Sequence, residues 1–405
     1  MTSKKVLYYT IEGYDTPNPS NHLMDGIIEA ILESGHQCHL MQSCRGGENK
    51  SVPSKFEHNP SFSTTVINRK KVNKLNFIKR YLEESFFSIN IIKHRKNLRD
   101  CDVILMQSTA TSISHLLLLK LFIRKPIIYN IYDIFPGHAY DIGVIKSKSL
   151  YNILKKLQFW AYKLCDKIVV MSEDMENKLK EEGIKQDKIK IIYNWFDDSK
   201  FCYIEKANTK IFKNFNLSND YFYLQYAGTL GQVFDEKILI DLAQALLPIE
   251  QIRILLIGEG VKTNWLKQKT EELKLTNVIF LPLQPLEIIN DVYNACDMGL
   301  IPLKRGVIGY GFPSKACQLL ACSKPIYNIC DESCYTDIFK KYNMGISNTE
   351  YDVKKIKEDI VSMMNSSDIL KEMGNNGKQY VYEQYSKTKN SKKFVTLCLE
   401  IIKGD

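Results

Sequence analysis

The 405-residue sequence contains no run approaching the ~20 consecutive apolar residues that a membrane-spanning helix needs. Its nearest candidate, Leu116–Ile123, is short and broken by Lys120. The apolar stretch after Lys4 and Lys5 ends at Glu12, so no signal peptide is expected. No cysteines stand in the CxxC pairs of a zinc site. The 11 cysteines are odd in number and scattered, and Cys101, Cys165 and Cys296 sit in apolar runs. They read as small apolar residues of a chain in the reducing cytoplasm. No RNA-binding or helix-turn-helix signature is present, which argues against a nucleic-acid partner despite a net charge of +9.

What is present is a chain too long for one typical core and suited to two domains of about 200 residues. The positive charge is concentrated. Between Arg69 and Arg99 stand Lys70, Lys71, Lys74, Lys79, Arg80, Lys93, Arg95 and Lys96 against Glu83 and Glu84 alone, interleaved with Leu75, Phe77, Leu82, Phe86 and Ile89. Two readings fit this 69–99 segment. It is a helix lying on an anionic membrane surface, or a helix packed on its own domain with a solvated basic rim.

Short β-prone runs alternate with helical stretches along the whole chain, the pattern of α/β domains with doubly wound parallel sheets. In the first half, Val6–Thr10, His36–Met41, Asp102–Gln107, Pro126–Tyr132, Lys167–Met171 and Lys188–Tyr193 read as strands. Helices are expected over 22–33, 109–123 and 147–166, with Ser172 or Asp174 capping another. Residues 45–62 read as a loop. Ligands bind such sheets at the carboxyl ends of strands, where Asp133 and Asn194 stand. The polar stretch 199–219 reads as a linker between a 1–198 domain and a second α/β series at 220–385, with a terminal helix over 386–405.

In the second series two strands run into glycine loops, Gly228-Thr229-Leu230-Gly231 and Gly258-Glu259-Gly260. Gly306–Pro325 follows, with glycines at 306, 309 and 311 ahead of Pro313-Ser314-Lys315. A glycine loop entering a helix through Pro-Ser-Lys is a phosphate cradle in outline. It is also an ordinary loop–helix–strand connection. The two preceding glycine loops on the same sheet favour the cradle.

Taken as a set, these residues resemble the donor domain of GT-B glycosyltransferases, in particular glycosyltransferase family four. The matching stretches are Tyr226–Gly231, Leu256–Gly260, Ala295–Pro302, Pro313–Lys315 and Lys324-Pro325. The first half, through Asp133-Ile-Phe-Pro136, Cys165–Ser172 and Asn194–Asp197, resembles the bacterial polysaccharide transferases similar to the fucosamine transferase of O-antigen assembly. The resemblance covers about 3–380. It implies two Rossmann-like domains facing across a cleft, with the last helix crossing back to the first domain. It also implies a nucleotide-sugar donor, a UDP-sugar being expected, and transfer with retention of configuration and no metal or other cofactor. The acceptor it implies is a lipid-linked saccharide or an oligosaccharide, on the inner face of the cell membrane.

Donor contacts implied by the resemblance are Gly228, Thr229, Leu230, Gly231, Gly258, Glu259, Gly260, Leu283, Tyr310, Gly311, Pro313, Ser314 and Gln318. Tyr310 and Gln318 occupy positions where the family usually carries two glutamates. Gln318 can still bond a ribose through its amide, whereas Tyr310 offers only a phenol. Lys315 is the expected diphosphate contact, with Lys304 and Arg305 either supporting it or forming a solvated pair. Asp133 either orients the acceptor hydroxyl and takes its proton or ties down its own turn, and His138 either shares that work or bonds backbone. The only Asp-x-Asp, Asp100-Cys-Asp102, opens a strand at its amino end and reads as structural. Carboxylates at double-displacement spacing are not identifiable, which disfavours a glycosidase. A non-catalytic sugar-nucleotide sensor or partner subunit of the same fold is the alternative, and a nucleotide-sugar epimerase a further one.

Overall fold

A computed structural model describes residues 2–14, 21–44, 52–69, 77–141, 143–309 and 313–404. The chain divides into two compact units, Met1–Asn194 with Thr388–Asp405, and Trp195–Lys387.

The first unit is built on a seven-stranded sheet of order β3-β2-β1-β4-β5-β6-β7. Its strands are β1 (Lys5–Tyr9), β2 (Gln37–Cys44), β3 (Phe62–Asn68), β4 (Val103–Gln107), β5 (Ile127–Asn130), β6 (Lys167–Val170) and β7 (Ile189–Ile191). All neighbours pair in parallel. β4 and β5 are buried along their whole length, as expected of strands covered by helices on both faces. The order reverses between β1 and β4, the switch point at which such sheets hold ligands.

The stretch read as a loop over 45–62 includes a short helix, Ser54–Glu57, and ends in β3, an edge strand with alternating partly exposed residues. The 69–99 segment is not one helix but three pieces, Phe77–Phe87, Asn90–Lys93 and Arg95–Leu98. Lys70, Lys71, Lys74 and Leu75 lie outside the described residues. The helix expected over 109–123 is α-helical at Ser112–Leu118 and widens to a π turn at Leu119–Ile123, closed by Arg124 at φ 61°. Ser147 caps helix Lys148–Leu164 through Leu150 N–H at 3.3 Å, and Ser172 caps Glu173–Glu181 through Met175 N–H at 3.2 Å. Asp102 accepts from Lys5 N–H at 2.8 Å, and Asp100 bonds Lys5 Nζ at 2.8 Å, so both carboxylates tie β4 to β1. The terminal helix, Lys387–Lys403, belongs to this unit, with Phe394, Val395, Leu397 and Cys398 buried.

The second unit holds a six-stranded parallel sheet, β10-β9-β8-β11-β12-β13. Its strands are β8 (Phe222–Ala227), β9 (Ile252–Ile257), β10 (Val278–Leu281), β11 (Met298–Pro302), β12 (Ile326–Ile329) and β13 (Gly345–Asn348). Residues 199–219 are not an irregular linker. They carry helix Lys210–Phe215, whose Ile211 and Phe212 are buried, and belong to this unit. All 11 cysteines are free, and all but Cys202 and Cys334 are buried. Burial pushes the Cys101, Cys296 and Cys398 thiols up to about 12, which makes them poor nucleophiles.

Candidate active site

At the carboxyl edge of the second sheet, β8 and β9 run into the two glycine loops, which are stitched together. Gly228 N–H donates to Ile257 O at 2.8 Å, Leu230 N–H to Glu259 O at 3.1 Å, and Lys262 N–H to Leu230 O at 3.1 Å. The packing leaves no room for a side chain. A Cβ on Gly258 would stand 2.3 Å from Gly228 O, and one on Gly260 would stand 2.2 Å from Leu230 O. Gly258 also has φ +132°, a conformation open chiefly to glycine. Thr229 is pinned by its carbonyl, which accepts from the Tyr226 hydroxyl at 2.8 Å.

Lys315 opens helix Lys315–Ala321, and its stem crosses the open face of Gly228. A Cβ at Gly228 would meet Lys315 Cε at 2.0 Å. Its Nζ lies 5.8 Å from the centre of the Tyr226 ring. The side chain is half-buried, and burial holds the ammonium below the usual lysine value. Among the described residues it has no carboxylate partner. A partly desolvated cation held against glycine backbone without a counter-charge is arranged to receive an anion. Gln318 is one turn on, on the same side of the helix, and its buried Oε1 has no hydrogen-bond partner among the described residues.

Other expected donor residues fall differently. The Leu230 side chain is in the core, so at the edge this residue presents only its backbone. Leu283 is exposed in the loop after β10, and Ser314 is exposed at the helix start. Pro313 accepts from Ala316 N–H at 2.9 Å. Gly231 and Glu259 lie on the stitched loops, and Tyr310 and Gly311 lie outside the described residues. Arg305 is committed elsewhere, to Asp331 at 3.4 Å and Glu350 O at 2.8 Å. Lys304 pairs with Glu236 at 3.3 Å, and Glu236 pairs with Lys262 at 2.7 Å. Burial alone would raise the Glu236 carboxyl, but the two lysines hold it below its ordinary range. This triad ties the β9 and β11 loops to one helix start. No sequence spacing announced it, because its members come from three separated loops.

In the first unit Asp133 follows β5. Its surface is open to solvent, yet crowding by protein raises its carboxyl above the ordinary value, with His138 drawing it back. Asp133 and His138, two of the three residues expected to be catalytic beside Lys315, are thus electrostatically joined. His138 also bonds locally, its N–H donating to Ile134 O at 3.1 Å.

Sequence reading missed a buried polar network near this edge. The Tyr9 hydroxyl lies 2.6 Å from His115 Nδ1, and His115 Nε2 lies 3.1 Å from Glu84 O and 3.1 Å from Thr111 Oγ1. The Glu84 carbonyl can only accept, so Nε2 carries the proton and Nδ1 accepts from Tyr9. Arg69, counted with the basic surface segment, is in fact buried beside Glu83 and Glu84 at 3.6 and 3.9 Å. Burial chiefly, and Arg69 next, push His115 down to about 3. The folded value lies below that of the unfolded chain, so the unfolded chain takes up the proton first. Stability is full above about pH 6.5 and falls as the pH drops toward about 3. His39, lowered to about 4, acts in the same direction. Urea midpoints should show His115 costing the first unit about 2 kcal/mol between about pH 7 and about pH 5. His115→Asn should flatten that slope, and an unchanged slope would contradict the assignment.

The family model for Glycosyltransferase Family 4 matches residues 22–200, and that for Glycosyl transferases group 1 matches residues 207–380. The chain is built from these two glycosyltransferase domains. Among relatives of this glycosyltransferase, a probable glycosyltransferase, WbjE, of Pseudomonas aeruginosa is 27% identical over 203 residues, covering 50% of each chain. A putative colanic acid biosynthesis glycosyl transferase, WcaI, of Escherichia coli is 25% identical over 157 residues, covering 38% of each. The chain thus spans about half the length, or less, of these curated relatives. Among solved structures, Anabaena HepE in complex with UDP and glucose superposes with a TM-score of 0.73 at 15% identity, over 97% of this chain and 99% of that one. WaaG, a glycosyltransferase involved in lipopolysaccharide biosynthesis, gives 0.66 at 12% identity over 99% and 100%. Identities this low speak for the fold alone.

Proposed function

We propose that this glycosyltransferase moves a sugar from a nucleotide-sugar, a UDP-sugar, to a lipid-linked or oligosaccharide acceptor in bacterial surface polysaccharide assembly. Retention of anomeric configuration and independence of metal are part of the reading. The observation that carries it is Lys315, a partly desolvated ammonium without a carboxylate partner among the described residues, held on Gly228 at the carboxyl edge of the sheet. Breaking a sugar–phosphate bond leaves negative charge on the diphosphate, and a fixed cation beside it stabilises that charge as it develops. Gln318 Oε1, without a hydrogen-bond partner among the described residues, is placed to accept from a ribose hydroxyl. The raised carboxyl of Asp133, with His138 beside it, is suited to orient an acceptor hydroxyl and receive its proton. HepE, whose complex holds UDP and glucose, and the polysaccharide names of WcaI and WaaG support the donor and pathway class. Among the described residues no helix is long and apolar enough to cross a membrane, so a lipid-linked acceptor would be met from the surface.

Incubating the protein with a panel of nucleotide-sugars tests the reading. Slow release of free nucleotide without acceptor, continuing in the presence of chelator, is expected. Binding without release, even with lipid-linked acceptor present, would instead indicate a sensor.

A further inference from the structure

The β3-to-β4, β4-to-β5 and β5-to-β6 connections of the first unit all progress in the same direction across the sheet. Right-handed crossovers therefore put their helices on one sheet face. Direct bonds join those helices side by side. His115 Nε2 donates to Glu84 O at 3.1 Å, Ser112 Oγ donates to Gln158 Oε1 at 2.7 Å, and Arg99 Nε donates to Phe122 O at 2.7 Å. These contacts, with Phe87 and Leu154 buried, define the inner side of the layer.

The outer side is apolar. On helix Phe77–Phe87, Leu82 and Phe86 are 52% and 66% exposed, with Ile89 just beyond. Leu117 and Leu121 lie outward on the neighbouring helix. On helix Lys148–Leu164, Ile153, Leu157 and Trp160 are exposed at positions i, i+4 and i+7, Trp160 at 63%. Of the exposed large apolar side chains described in this unit, all but Val66 and Val144 lie on these three segments. Residues 112–123 and 148–164 contain no Asp or Glu. Lys93, Lys96, Lys156 and Lys163 are exposed around the apolar stripes, and Lys163 Nζ lies 5.7 Å from the Trp160 ring centre. The next helix on the same sheet face, Glu173–Glu181, differs. Its first turn is acidic, and no large apolar residue on it is exposed, so the face has an edge.

We infer that this three-helix face, with Trp160 and the 153–160 stripe as its main anchor, seats the protein on an anionic lipid surface. Apolar stripes on two segments that carry no carboxylate of their own, 112–123 and 148–164, rimmed by exposed lysines and bearing a tryptophan, match acyl chains below and anionic headgroups around. The inference deepens the proposed transferase reading, since it states how a lipid-linked acceptor would be approached. It also relocates the anchor, from the 69–99 segment alone to a surface dominated by helix Lys148–Leu164.

The test uses the full chain and phosphatidylcholine vesicles with and without phosphatidylglycerol, and no saccharide. Of the three tryptophans, Trp195 is buried and Trp265 partly buried, so Trp160 reports on the face. Phosphatidylglycerol vesicles should co-sediment the protein and shift its tryptophan emission to the blue, and Trp160→Phe should remove the shift. Ile153→Glu with Leu157→Glu should lower partitioning about tenfold or more, with thermal unfolding unchanged because both residues are exposed. Lys156→Glu with Lys163→Glu should remove the dependence on phosphatidylglycerol. The inference is overturned if the Ile153/Leu157 variant partitions like the parent, if the emission shift survives Trp160→Phe, or if the face proves to bury itself in a dimer that ignores vesicles. Vesicle binding without turnover on any nucleotide-sugar would sink the transferase reading while leaving this one standing.

Discussion

Lys315→Ala is expected to lower nucleotide release and sugar transfer by about a hundredfold or more, the usual cost of deleting one well-placed group that stabilises developing charge. The argument rests on where the ammonium is kept. Its stem crosses Gly228 so closely that a methyl there would overlap Cε at 2.0 Å. Burial lowers its affinity for the proton, and among the described residues no carboxylate compensates. Such a cation gains most when a diphosphate becomes more negative, so turnover should fall more than donor affinity. Lys315→Met keeps much of the stem and removes the charge, and should behave like Ala. Steady-state kinetics with the active nucleotide-sugar, alongside nucleotide binding by calorimetry, checks this. Full activity in either variant would refute the assignment.

Gly258→Ala should destabilise the second unit by about 3 kcal/mol, a melting shift of about 5–10 °C, and abolish donor binding. Two independent costs meet at this residue. Its φ of +132° is strained for any L side chain, and the added methyl would stand 2.3 Å from Gly228 O. The obstructing atom is backbone, so no rotamer change relieves it. The relief available is to part the two loops, which breaks the Leu230–Glu259 and Gly228–Ile257 bonds and moves Gly228 away from Lys315. Gly309 is the control. Among the described residues nothing lies within 4 Å of a Cβ placed there, so Gly309→Ala should leave stability near the parent value. Calorimetric melting of both variants decides. A Gly258→Ala protein as stable as the parent would mean the loops are not held as described.

The contrast between Gly258 and Gly309 shows what a glycine in a sequence conveys. Both were legible as members of glycine-bearing loops beside a sheet. Only the fold distinguishes a glycine wedged against a second backbone from one facing open space. The basic 69–99 segment behaves similarly. Its composition was correctly read as apolar and basic, but Arg69 turned out to be an interior residue, held beside Glu83 and Glu84. β3 escaped notice because Phe62–Asn68 is an edge strand with much of its surface polar, and polar edge strands resemble loops in composition. Helix Lys210–Phe215 was hidden in the same way, by its shortness.

The alternation of short buried strands and helices is a local signal. β4, β5, β8 and β9 are each four to six residues long and apolar but for one polar or charged residue, and each glycine loop adjoins its strand in the chain. For that reason the two parallel-sheet units, the Ser147 and Ser172 caps, and the Gly228, Gly258 and Lys315 stretches could be read without coordinates. Proximity between distant segments has no local signal. The overlap of Lys315 with Gly228, the Glu236 bridge to Lys262 and Lys304, the Tyr9–His115–Glu84 chain and the joining of three apolar stripes into one face all depend on strand order and crossover hand. Those are set by how the whole sheet packs, and it is the tertiary structure that turns a list of candidate cradle residues into a partly desolvated cation held on Gly228.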